Sequence, residues 1–115
     1  MAELQCVRVD LPHDHPSFAG HFPGRPLLPG VVLLSQVLEV LMADAATAAW
    51  LTPAPMLNLV KFLAPVEPGA ALDVRWTPPV AGARLRFEVW RHAPGDAAEG
   101  VLAASGQLDA GAATS

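Results

Sequence analysis

The chain has 115 residues, 52% of them apolar, and a formal net charge of −4, enough for one hydrophobic core and too short for two. Its seven basic residues are one lysine, Lys61, and arginines scattered along the chain, which excludes the basic face a nucleic-acid binder needs. The single cysteine, Cys6, excludes an internal disulfide framework and a Cys-rich zinc site, and is expected as a small buried hydrophobe in a first strand.

The opening MAELQCVRVD carries neither a basic region nor an apolar run, so no secretory signal is expected. Val7, Val9 and Leu11 alternate with Arg8 and Asp10, the period of a half-buried strand, which Pro12 ends. Five prolines from Pro12 to Pro29 forbid a regular element and predict a stiff, ordered loop. From Pro29 to about Ala49 the pattern predicts one long helix, apolar on nearly every face and therefore buried. Gln36, Glu39 and Asp44 make a membrane span costly for that segment, so a cytoplasmic protein without a span is expected.

After the breaker TPAP, Met56 to Val66 reads as a strand closed by EPG. Leu72, Val74 and Trp76 alternate with Asp73 and Arg75, and PPVAG turns the chain. Leu85, Phe87 and Val89 alternate with Arg86 and Glu88, APGD turns again, and Gly100 to Leu108 makes the last strand. Five strands and one helix in the order β-α-β-β-β-β predict an α+β architecture, an antiparallel sheet wrapped around one central helix. Residues 1–110 are read as a single domain and 111–115 as a frayed tail. A helix apolar all round needs cover on every side. One curled sheet supplies half of it, and the mean hydropathy of +0.35 points to a second subunit for the rest.

Chemistry concentrates in residues 20–39, GHFPGRPLLPGVVLLSQVLE. His21 stands at the head of the proline-rich loop. By itself it is as compatible with a ring that hydrogen-bonds its own loop as with a base working near neutral pH. No Ser, Thr, Asp or Asn precedes the helix to cap it, and Pro29 suits its first position. The N–H groups of that turn are then open to a ligand oxygen, or Gly30 serves only close packing. Ser35, Gln36 and Glu39 form a polar patch on an apolar helix, costly unless it meets partners or water. His13, Asp14 and His15 read as a surface turn, because three adjacent residues seldom aim at one ion, and no metal site is expected. Trp50, Trp76 and Trp90 read as core or interface aromatics, since no basic groove accompanies them.

GHFPGRPLLPGVVLL, preceded by HPSFA, resembles the active-site segment of the hotdog-fold 3-hydroxyacyl-[acyl-carrier-protein] dehydratases. VKFLAPVEPGAALDV (60–74) is similar to a second segment of that family. The resemblance covers roughly residues 7–110, and H-F-P-x-x-P-x-x-P-G is a specific pattern. It implies a hotdog fold, a homodimer with its two sheets side by side, two sites at the subunit interface, and no metal or organic cofactor. It assigns to His21 the proton on carbon 2 of a 3-hydroxyacyl thioester, and to the Gly30 amide the thioester carbonyl. Phe18, Phe22, Pro29, Val31 and Gln36 fall around the substrate. Arg25 and Lys61, the latter beside the pocket, become candidates for docking acyl carrier protein or its phosphopantetheine. Leu33, Leu34, Val37 and Leu38 would suit an acyl tunnel.

One position departs from the family. Its helix carboxylate falls, by count from Gly30, on Ser35, whose hydroxyl is no acid at neutral pH. Glu39 lies four residues on along the same face and leans back over Ser35, although the rise between them is about 6 Å. Glu39, through Ser35 or a water, is therefore the candidate acid. The departure suggests a specialised route, such as polyene or other secondary lipid assembly. The alternatives are a non-catalytic hotdog subunit that binds acyl chains or pairs with an active dehydratase, and an acyl thioesterase.

Overall fold

The computed structural model describes residues 5–11, 28–51, 56–67, 69–77 and 84–109. Its elements are β1 (Gln5–Asp10), α1 (Gly30–Ala43), α2 (Ala45–Leu51), β2 (Met56–Phe62), β3 (Ala71–Trp76), β4 (Leu85–His92) and β5 (Val101–Asp109). The strands form one antiparallel sheet in the order β1-β3-β4-β5-β2. The last three strands follow one another as a meander. β2, which follows the helices, pairs with β5 at the far edge, so β1 and β2 are the two open edges.

Alternation decides which face packs. On β4, Leu85, Phe87 and Val89 are buried while Arg86 and Glu88 are exposed. On β3, Leu72, Val74 and Trp76 join the same core. Helix α1 lies against this face through Leu33, Val37 and Leu41, residues four apart and hence one above another on the helix. Each such side chain, fully buried, stabilises the fold by about 1.5–3 kcal/mol of transfer free energy. At Gly106 the sheet has no room for a side chain. A Cβ there would stand 2.5 Å from Phe87 Cζ and 2.8 Å from the Leu59 carbonyl oxygen.

The opposite face is polar and centred on Asp73, which is only 7% exposed. Its carboxylate accepts two hydrogen bonds from Arg8, Nε at 2.8 Å and Nη2 at 3.1 Å. His92 Nε2 stands 2.9 Å away and Arg75 Nη2 at 3.6 Å. The Arg75 guanidinium also lies over the Trp90 ring, 4.9 Å from its centre.

Three expectations are corrected here. The single long helix is two, bent by 112° at Asp44. Asp44 has extended backbone, φ −89° and ψ 116°, and its carboxylate caps the next helix. It accepts the Thr47 N–H at 3.0 Å and the Thr47 hydroxyl at 2.6 Å. In the single chain the sheet covers one side of α1, and Val31, Ser35, Glu39 and Met42 are exposed along one stripe, the side left for the expected second subunit. Cys6 is exposed, because β1 is an edge strand and Cys6 lies opposite Arg75 rather than over the core. β2 ends at Phe62 instead of Val66. The Leu63 and Ala64 N–H groups both turn to the Ala103 carbonyl, at 2.8 and 3.2 Å. Among the described residues no single helix is long and apolar enough to cross a membrane.

Candidate active site

The start of α1 opens into a concavity of about 750 Å³. One wall is Leu28, Pro29, Gly30, Val31 and Leu34; the other is the run from Phe62 to Val66. The walls are tied to each other where the Leu28 N–H donates to the Val66 carbonyl at 2.8 Å. Volume and apolar lining fall in the range of small-molecule sites.

Pro29 is the residue before the helix, extended at φ −61° and ψ 145°, and no side chain caps the first turn. The Val32 and Leu33 N–H groups both reach back to the Pro29 carbonyl at 3.0 Å. The Gly30 and Val31 amides are the ones left over, without a partner among the described residues. No acidic residue stands in the first turn to offset the positive end of the helix. An oxygen gaining negative charge in this concavity therefore finds donors already oriented. Phe62 marks the close approach, since a Cβ on Gly30 would meet its ring at 2.9 Å.

Of the residues singled out from the sequence, Pro29, Gly30 and Val31 are thus brought together at the cavity. Ser35 and Glu39 continue from Val31 along the exposed stripe of α1, with Gln36 half-buried beside them. Leu33, Leu34, Val37 and Leu38 do not share one environment. Leu33 and Leu34 line the large cavity, while Leu34, Val37 and Leu38 meet Phe87 around a second space of about 60 Å³. Lys61 does not line the cavity: on β2 its neighbour Phe62 points there. Lys61 faces a separate concavity with Arg86, Ser105 and Gln107. His21, Phe18, Phe22 and Arg25 lie outside the described residues, as do His13, Asp14 and His15. Among the described residues no group of His, Cys, Asp and Glu is placed to hold a metal.

Two contributors escape sequence reasoning. The 62–66 wall reads as strand and as part of the family-like segment 60–74, in which Lys61 rather than Phe62 or Pro65 is singled out beside the pocket. Arg91 is one among the scattered arginines, yet its Nη1 donates to the Pro65 carbonyl at 2.8 Å.

An antiparallel five-stranded sheet laid over a central helix, with the helix N-terminus opening into an apolar cavity, defines a hotdog-fold protein. The chain belongs to the ApeI-like family, described as ApeI dehydratase, which matches residues 2–106. Among curated relatives it is similar to the 3-hydroxyacyl-[acyl-carrier-protein] dehydratase FabZ of Geotalea uraniireducens, 31% identical over 113 residues. That match covers 92% of this chain and 75% of the relative. Further FabZ relatives are matched over between 39% and 68% of their length. Among solved structures it superposes on the dehydratase heterocomplex ApeI:P from Xenorhabdus doucetiae with a TM-score of 0.69 and 23% identity, covering 95% of this chain and 88% of that one. It also superposes on an acyl-CoA hydrolase mutant from Staphylococcus aureus, TM-score 0.63 and 18% identity, covering 91% and 61%.

Proposed function

We propose that this chain removes water from a 3-hydroxyacyl thioester carried on acyl carrier protein, giving the 2-enoyl thioester, in fatty acid or polyene-type lipid biosynthesis. The observation that carries the reading is the uncapped start of α1, whose Gly30 and Val31 amides open into an apolar cavity where the G-H-F-P-x-x-P-x-x-P-G segment ends. The thioester carbonyl sits at these amides. Negative charge developing on it as carbon 2 loses its proton is stabilised there. His21 takes that proton. The bond from carbon 3 to its hydroxyl breaks, and Glu39, through the Ser35 hydroxyl or a water, gives the leaving oxygen the proton that makes it water. His21 ends protonated and Glu39 ionised, so a proton returning from His21 through solvent to Glu39 closes the cycle.

The proposed assembly is a dimer joined along the open edge of β2, where Leu57, Leu59, Phe62 and Leu63 are about half exposed. Sheets joined there would place the Ser35–Glu39 stripe of one copy facing the other. In this arrangement Arg25 and Lys61 meet the carrier protein as docking charges.

The test is conversion of a 3-hydroxyacyl carrier-protein thioester by the purified protein, followed by mass loss of water. His21→Ala and Glu39→Gln are each expected to lower kcat by about 10²–10⁴-fold. Activity surviving His21→Ala overturns the assignment. A second reading is favoured by Ser35 standing where the family has a carboxylate, and by the likeness to a dehydratase heterocomplex. In it the chain is a hotdog subunit without turnover of its own, regaining activity only when paired with a subunit that carries the carboxylate. Release of free thiol in the same assay would instead indicate a thioesterase.

A further inference from the structure

Arg91 stands at the end of β4, and each of the three nitrogens of its guanidinium donates a hydrogen bond. Nε donates to Asp96 Oδ2 at 3.0 Å and Nη2 to Asp96 Oδ1 at 2.9 Å, a two-pronged pairing. Asp96 in turn accepts the Ala93 N–H at 2.9 Å, so the carboxylate is fixed by the β4–β5 turn it closes. The side chains of Arg91 and Asp96 are only 19% and 11% exposed. The hydrogen bond from Arg91 holds the Asp96 carboxyl below its ordinary range, which favours the ionised partner of the pair. This leaves Nη1, which reaches across to the Pro65 carbonyl at 2.8 Å.

Pro65 lies in the wall of the large cavity. It has no N–H of its own, so its carbonyl is the one main-chain group by which the residue can be held. The next residue, Val66, accepts the Leu28 N–H at 2.8 Å, and Leu28 leads directly into Pro29 and Gly30. A continuous path therefore runs from the β4–β5 turn, through the guanidinium and residues 65–66, to the first turn of α1.

We propose that Arg91 is a positioning residue of the candidate site: clamped by Asp96, it pins the Pro65 carbonyl, and through the Val66–Leu28 hydrogen bond it sets where the Gly30 amide stands. Lysine cannot replace it, because a single ammonium cannot grip both carboxylate oxygens and reach the carbonyl in the fixed fork of a guanidinium. The structural link stands on the geometry alone. Its catalytic consequence rests on the dehydratase reading.

The experiment measures backbone amide exchange in the full chain for wild type, Arg91→Lys, Arg91→Met and Asp96→Asn. The Leu28 amide is expected to exchange about tenfold faster in both Arg91 variants, while the Val74 and Val89 amides stay within about twofold of wild type. Asp96→Asn, which keeps the arginine but loosens its grip, is expected to fall between. Leu28 and the ladder amides accelerating together would make Arg91 a plain stability brace and overturn the proposal, as would an unchanged Leu28. If Arg91→Met does not fold, Arg91→Lys and Asp96→Asn decide alone. With the dehydration assay running, Arg91→Lys should lower kcat about 10-fold or more and leave KM within about twofold, since small misplacements of oriented groups cost rate. A wild type without turnover sinks the dehydratase reading and leaves the exchange result to judge the positioning role.

Discussion

Thr47 carries more structure than its size suggests. It is fully buried, donates its hydroxyl to Asp44 Oδ2 at 2.6 Å and accepts the Trp76 indole N–H at 3.2 Å. One oxygen thus joins the cap of α2 to the indole of the largest fully buried side chain. Thr47→Val keeps the shape, but strands the indole N–H and frees one bond of the cap. The expected loss is about 1–3 kcal/mol in denaturant unfolding. In a double-mutant cycle, Trp76→Phe should cost less in the Thr47→Val background than in wild type, because the indole N–H it removes no longer has a partner. The break is legible in principle, since Asp44 is a favoured N-cap residue. The surrounding alanines, strong helix formers, override it and read as continuous helix. Cys6 shows a different limit. Alternation tells which residues share a face, and only the pairing partner tells whether that face is covered.

At the scale of elements, alternation located β1, β3 and β4 closely, and the turn signal after β4 located β5. In β3 and β4 alternation separated Leu72, Val74, Phe87 and Val89 from Asp73 and Glu88, as the pairing requires. It failed where tertiary hydrogen bonds decide the ending, as at Phe62, beyond which residues 63 and 64 leave the strand ladder and both bond to one carbonyl. The candidate site was legible as a motif and as an uncapped helix start. The second wall was not, because nothing local announces that residues 62–66 fold back beside residue 28. Helix α1 looked apolar on every side, yet only Leu33, Val37 and Leu41 are buried; apolarity marks what could be covered, not by what. The contact between β4 and β5 gives a sharp test. Gly106→Ala would drive a methyl into the Phe87 ring and the Leu59 carbonyl. The ring can shift but the backbone resists, so a loss of about 1–3 kcal/mol is expected in thermal or denaturant unfolding. A neutral result would mean that β5 can move away from Phe87 at no cost.

Across the whole molecule, Asp73 joins three strands: Arg8 reaches it from β1 and His92 from β4. The Arg8 hydrogen bond is the main influence holding its carboxyl below the usual aspartate range; burial opposes it, and the charges of Arg8 and His92 add to it. Because the folded form binds its proton less readily than the unfolded chain, the stabilisation is fully present above the ordinary aspartate pKa of about 3.9 and is lost as pH falls through the lower folded value. Asp73→Asn is therefore expected to be less stable than wild type by about 1–3 kcal/mol at pH 7, with the gap shrinking as pH is lowered below about 4. Urea midpoints at both ends of that range measure it, and a gap that does not change with pH would contradict the account.

The central helix is gripped at both extremities, by the Leu28 amide ahead of it and by the Asp44 carboxylate behind. A rod held this way cannot screw along its axis to absorb an error. One residue inserted between Val32 and Glu39 would turn everything downstream by about 100°, carrying Glu39 off the outward stripe while Gly30 keeps its place. The spacing between the cavity mouth and the polar patch is therefore set as a phase angle as much as a length, and evolutionary or engineered change at this helix must proceed by substitution.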